Sequence, residues 1–200
     1  MTDSADGAGT LHVLHVCTGN ICRSPMAERI MRAELAARFG PVTDVLVHSA
    51  GTYGGHAGGP MNGPAADELA RRGLSGEGFT ATWLREPQVE WAELVLAATA
   101  DHKAQVLQLE PRALRRTFTL RELARLAGNV RPEDLPTGTP GQRLRALAAT
   151  AAELRGLYPP DSRAADDIGD PYGESAEVFT TTADQLRDAI VAILRPVAVA

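Results

Sequence analysis

Apolar and polar positions follow two rhythms along the 200-residue chain. Apolar-rich runs of strand length occur at 11–16, 45–49, 92–98 and 117–120. Between them the period lengthens to that of a helix. Residues 25 to about 39 put Met26, Ala27, Ile30, Met31 and Leu35 on one face, and Gly40-Pro41 closes the segment. Helical spacing returns at 65–72, which Gly73 ends, at 101–109, at 142–157 and at 176–194, where Phe179, Leu186, Ile190 and Ile193 mark a buried face. Strand and helix alternating at this spacing predict an α/β fold, a four-stranded parallel sheet flanked by helices. The loop after the first strand then lies at a carboxyl edge, where such sheets bind ligands.

The chain is 44% hydrophobic and 22% charged, enough for one sizeable core. Residues 11–195 are read as one domain. Pro132, Pro136, Pro140, Pro159 and Pro160 bracket an excursion at 130–167 that carries its own helix. Residues 1–10 are polar and glycine-containing, and read as a flexible lead-in with no signal-peptide pattern. No apolar run is long enough to span a membrane, and a net charge of -5 argues against a general nucleic-acid binder. Neither a membrane nor a nucleic acid is expected as partner. The two cysteines, Cys17 and Cys22, share one loop and make no disulfide scaffold, which fits a reducing, cytoplasmic setting.

That loop, Cys17-Thr18-Gly19-Asn20-Ile21-Cys22-Arg23-Ser24-Pro25, joins a strand to a helix start. Ser24 and Pro25 have the chemistry of a helix N-cap and first turn, so the loop ends on a positive helix terminus. Gly19 and Asn20 tolerate a left-handed backbone, which turns successive N–H groups inward. Thr18, Gly19, Asn20, Ile21 and Cys22 thereby frame an oxyanion. Arg23 offers a planar fork for a phosphoryl group, and Ser24 a hydroxyl for the Cys17 thiolate. Cys17 is the nucleophile of this trap, and the expected product is a cysteinyl-phosphate.

Expelling an alkoxide or phenolate from phosphorus also needs a proton donor. Asp170 precedes Pro171, whose stiff backbone aims a carboxyl group from a loop. Asp166 and Asp167 lie close by and compete for the role. The histidines form no metal constellation: His12 and His15 face opposite sides of a strand, and His48, His56 and His102 are scattered.

The loop motif, with Ser49-Ala50-Gly51-Thr52 after the second strand and Asp170-Pro171-Tyr172-Gly173 before the last helix, resembles the low-molecular-weight protein tyrosine phosphatase family of bacterial type. The resemblance implies hydrolysis of phosphotyrosine in proteins, with Cys17 as nucleophile, Arg23 as phosphate clamp, Asp170 as acid and then base, and Ser24 as thiolate partner. It implies that Asn20 holds the loop in shape through Ser49, that no metal or organic cofactor is needed, and that a bacterial tyrosine kinase works in the opposite direction. It also offers Cys22 as a redox partner of Cys17; a small residue that merely packs under the loop would look the same in sequence.

Three features depart from the family pattern. A large aromatic residue is often found just before the position of His56, where this chain has Gly55, leaving Tyr53 and Tyr172 to flank a phenyl ring. A histidine that often supports the loop is replaced near Phe79, so that support is expected to be missing. The third departure is the excursion at 130–167. Ile21 narrows the slot against a guanidinium group; related arginine phosphatases have threonine there, and phosphoarginine is the second substrate class. The same loop chemistry would also serve an arsenate reductase dependent on a small thiol, or a non-catalytic phosphate-binding module.

Overall fold

The computed structural model describes residues 9–42, 44–162 and 164–198. The lead-in expected at 1–10 falls outside the described residues except for Gly9 and Thr10. Strand β1 (Leu11–Cys17) lies between β2 (Val45–Gly51) and β3 (Leu94–Ala97), and β4 (Thr117–Thr119) pairs with β3. All pairings are parallel, in the order β2-β1-β3-β4, which is the expected four-stranded sheet. After β1 the chain adds β2 on one side and then returns to add β3 on the other. The carboxyl end of β1 is therefore the point where the connections part and a crevice opens.

Around the sheet run α1 (Arg23–Phe39), α2 (Gly63–Arg71), α3 (Glu86–Trp91), α4 (Ala100–Leu109), α5 (Leu120–Ala127), α6 (Pro140–Leu154) and α7 (Ala176–Leu194). Alternation along β1 decides which face meets which helices. Leu11 and Val13 share a core with Met26 and Met31 of α1, Leu123 of α5, Leu147 of α6 and Ile190 of α7. Leu14 and Val16 point the other way, to Val89 of α3 and Val106 of α4.

Three local expectations change. Helix α1 begins at Arg23 with Cys22 as its N-cap, so Ser24 is not the cap; its hydroxyl is engaged by the loop instead. Strand β4 stops at Thr119 because the Thr119 hydroxyl accepts from Glu122 N, and the Glu122 carboxylate accepts from Thr119 N, a capping box that starts α5. Helix α6 ends at Leu154, short of residue 157.

The excursion packs into the same core through Leu144, Leu147 and Ala151. Arg143, itself buried, donates to the carbonyls of Pro132, Pro136, Pro196 and Val197, tying the excursion to the chain that follows α7.

His15, in the middle of β1, is 1% exposed, and its Nε2 lies 3.3 Å from Met31 Sδ. Burial pushes its pKa down to about 3. The unfolded chain therefore binds a proton near pH 6.5 that the fold excludes, so stability rises with pH between about 3 and 6.5. Urea titrations of the wild type are expected to lose up to about 1.4 kcal/mol per pH unit on acidification from this group. His15→Leu is expected to flatten the slope in that window.

Candidate active site

Cys17 closes β1, and the loop that follows folds over Gly51, the last residue of β2. A Cβ at Gly51 would lie 2.6 Å from Thr18 O and 2.8 Å from Asn20 N, so only glycine lets the loop descend this far. The carbonyls of Cys17, Thr18 and Ile21 accept from the amides of Thr52, Tyr53 and Asn62, each at 2.9 Å. Because a trans peptide sets N–H opposite C=O, the N–H groups of Thr18, Gly19 and Cys22 turn away from those partners, toward the slot.

Asn20 fixes this shape. It is the one non-glycine with positive φ among the described residues, at 53°, and it is fully buried. Its Nδ2 donates to Ser24 Oγ and to Ser49 Oγ, both at 2.9 Å, while its Oδ1 accepts from Thr82 N at 2.7 Å. The bond to Ser49 is the one the resemblance implied. Support thought to be missing near Phe79 comes from the Thr82 backbone amide. Outward from Ser49, the hydroxyl donates to Glu28 Oε2 at 2.6 Å, and Glu28 pairs with Arg32 at 2.9 Å. Inward, Ser24 Oγ lies 3.0 Å from Cys17 Sγ and 3.4 Å from Ala50 O; since it accepts from Asn20, its own proton is left for the sulfur or that carbonyl, and the sulfur is the nearer of the two.

Arg23, which lines the same slot as Cys17, is 4% exposed. Its Nη1 donates to Ile168 O at 3.1 Å, and its Nη2 to Thr18 Oγ1 at 3.2 Å and to Asp170 Oδ2 at 2.5 Å. Its Nε is buried and has no acceptor within the protein. Of the three aspartates weighed from sequence, Asp170 is the one that reaches Arg23. Asp166 pairs with Arg125 at 2.5 Å, and Asp167 accepts from Ala100 N at the start of α4 at 2.7 Å. Those two tie the loop down and leave Asp170, half exposed, over the slot.

The slot is a cavity of about 100 Å³ floored by Cys17, Thr18, Gly19, Ile21, Cys22 and Arg23 and walled by Tyr53, His56, Asp170 and Tyr172. A Cβ at Gly55 would come within 2.3 Å of the Tyr53 ring, so the absence of a side chain at 55 is what admits that ring. The wall that Gly55 cannot form comes from Tyr53. His56 stands between the two tyrosines, 5.8 Å from Tyr53 and 6.3 Å from Tyr172, centroid to centroid. His102, from α4, reaches Thr18 Oγ1 with Nε2 at 2.9 Å; burial, and then the Arg23 charge, hold its pKa down to about 4. Sequence reasoning passed over both histidines, because nothing in their spacing ties them to the loop. Both cysteines are free thiols, and burial, followed by the neighbouring Cys17 and Asp170, pushes Cys22 up to about 12.

Residues 12–134 match the sequence model of a known family, described as Low molecular weight phosphotyrosine protein phosphatase. The chain belongs to this family. The low molecular weight protein-tyrosine-phosphatase YfkJ of Bacillus subtilis is 39% identical over 92 residues, covering 46% of this chain and 58% of the relative. The match thus spans less than two thirds of that relative's length. A protein-arginine-phosphatase of Geobacillus stearothermophilus is 28% identical over 182 residues, covering 89% of this chain and 90% of the relative. Among solved structures, a low molecular weight protein tyrosine phosphatase from T. tengcongensis superposes with a TM-score of 0.65 at 28% identity, covering 92% of this chain and 98% of that one. Asp170 lies beyond the residues the family model matches, and the fold is what brings it to the loop.

Asn20→Ala removes three hydrogen bonds and leaves a Cβ-bearing residue in the left-handed region without compensation. The variant is expected to lose about 2 kcal/mol of stability in denaturant titration.

Proposed function

We propose that the protein hydrolyses phosphotyrosine in proteins through a cysteinyl-phosphate. The observation that carries this reading is the Arg23 fork beside Cys17, with Nε unpaired and Nη2 held by Asp170. A phosphoryl group takes both donors at once and displaces the carboxylate from Nη2. The freed Asp170, open to solvent, takes a proton from bulk water. Cys17 sulfur then attacks phosphorus: the S–P bond forms, the P–O bond to the phenol breaks, and the departing oxygen takes the proton from Asp170. In the second half Asp170 takes a proton from water as it attacks phosphorus, the S–P bond breaks, and thiolate and inorganic phosphate are released. Loop N–H groups and Arg23 stabilise the charge on the equatorial oxygens throughout.

Ile21, Tyr53 and Tyr172 line the slot and support a flat phenyl ring as leaving group. The substrates in this reading are tyrosine-phosphorylated proteins, supplied by a tyrosine kinase of bacterial type. The catalytic unit is 11–195 and it works in the cytoplasm, where Cys17 stays reduced and Cys22 is held in reserve as its disulfide partner. No described helix is long and apolar enough to cross a membrane. One observation favours phosphoarginine as a second reading: the arginine-phosphatase relative matches along 89% of this chain, past the acid loop.

Wild type is expected to cleave a small aryl phosphate and phosphotyrosine peptides, and Cys17→Ser to show no turnover above background. Full activity in Cys17→Ser would overturn the mechanism. Asp170→Asn is expected to lower kcat by about 100-fold to 10,000-fold, most for poor leaving groups, without weakening vanadate binding. Ile21→Thr is expected to raise the ratio of phosphoarginine to phosphotyrosine turnover. A wild type that already prefers phosphoarginine reverses the substrate assignment.

A further inference from the structure

Thr18 occupies the loop position next to the nucleophile, yet its hydroxyl is turned toward a residue 84 positions away. That residue, His102, sits in the first turn of α4, and its ring is gripped at both nitrogens. Nδ1 lies 2.8 Å from Thr99 Oγ1, the N-cap oxygen that also accepts from His102 N, and Nε2 lies 2.9 Å from Thr18 Oγ1. Thr18 Oγ1 in turn accepts from Arg23 Nη2 at 3.2 Å. A chain Thr99–His102–Thr18–Arg23 thus runs from a helix cap to the phosphate clamp.

The donors and acceptors along it close without a gap. Arg23 only donates, so Thr18 spends one lone pair on it. Either the Thr18 proton goes to Nε2 while Nδ1–H goes to Thr99, or Nε2–H goes to Thr18 while the Thr99 proton goes to Nδ1. Both arrangements use a neutral ring, the state that burial and the Arg23 charge favour.

The consequence appears when the slot is filled. Arg23 Nη2 has two partners within the protein, Thr18 Oγ1 and Asp170 Oδ2. A phosphoryl group replaces the second. The guanidinium plane is then held by Ile168 O at Nη1 and Thr18 at Nη2, and those two contacts leave Nε and the remaining Nη2 hydrogen side by side for a bidentate grip. Without the imidazole, the Thr18 hydroxyl loses its second partner and rotates, and the fork loses a reference point.

We propose that His102 is a positioning residue of the phosphate site, which sets the Arg23 fork through the Thr18 hydroxyl. The proposal deepens the hydrolytic reading above and rests on it only for its effect on turnover; its effect on oxyanion binding stands apart.

The test uses the full chain with His102→Ala, His102→Gln, Thr18→Val, Thr18→Ser and the double variant His102→Ala/Thr18→Val. Inorganic phosphate affinity is measured by calorimetry, kcat and KM with an aryl phosphate, and folding by thermal melts. His102→Ala and Thr18→Val are each expected to weaken phosphate binding and to lower kcat/KM by about tenfold. The double variant is expected to be no worse than the more affected single one, since both changes break one chain. Thr18→Ser restores the hydroxyl and is expected to recover most of the loss; His102→Gln, with one polar group in place of two, is expected to recover part. Thr18→Val leaves α4 intact, so the proposal remains testable even if His102→Ala fails to fold: phosphate affinity unchanged in Thr18→Val overturns it. So does a folded His102→Ala with wild-type affinity, or losses that multiply in the double variant. A wild type that shows this coupling in phosphate binding but cleaves no phosphoester supports the clamp and overturns the hydrolytic reading.

Discussion

The site depends on one strained residue. Asn20 holds a left-handed backbone that costs about 1 kcal/mol for a residue bearing a Cβ. Three hydrogen bonds from its own buried amide offset that cost. Those bonds run to two elements and a loop: Ser24 in α1, Ser49 in β2 and the Thr82 backbone ahead of α3. The turn that aims the loop amides at the slot is therefore enforced by the packing of helix on sheet. Glu28 and Arg32 extend the enforcement along α1, so the Ser49 hydroxyl is already oriented before it meets Asn20. The position of Cys17 follows from the core, not from the loop by itself.

Charge is arranged on the same plan. Arg23 is nearly fully buried, and a buried cation needs partners in every state it visits. Asp170 is one of them, and in the proposed reaction the phosphoryl group takes over that N–H. In the proposed reaction one donor serves as resting partner and as substrate clamp, and the exchange frees the carboxyl group beside the leaving oxygen. The exchange works only if the acid loop itself stays in place. Asp166 on Arg125, Asp167 on the α4 N-terminus and Ile168 N on Ala98 O hold it to the carboxyl edge of the sheet. Neighbouring aspartates that look interchangeable in sequence divide into two anchors and one group that faces Arg23.

Much of this was legible because it is local. The loop is contiguous from Cys17 to Pro25, the strands carry an apolar signature, and α7 has the bounds its pattern predicts. Short helices were lost: α3 has six residues and α5 eight, too few turns for a period to emerge. The Thr119 to Glu122 spacing was a readable signal for α5. His102 was harder. Its link to Thr18 is made by the crossover that lays β3 beside β1 and starts α4 at the same edge as the loop, and no pattern local to either residue encodes that. Thr99, three residues before it, does have the look of an N-cap, and a cap at a carboxyl edge is a reason to ask what the residues of its first turn face.

The slot wall shows how position-by-position comparison can mistake a transfer for a loss. Gly55 stands where the family resemblance led one to expect an aromatic residue, which by itself argues for an open slot. In space, the Tyr53 ring occupies the volume that a Cβ at 55 would claim, so the glycine is a condition of the wall being there. Tyr53 N donates to Thr18 O, which anchors the ring's backbone to the loop it walls. The tyrosine at 53 and the glycine at 55 are one packing solution. In the proposed reaction an apolar surface is needed beside the phosphate, and the loop between β2 and α2 provides one through the residue that its backbone path brings to the slot, Tyr53.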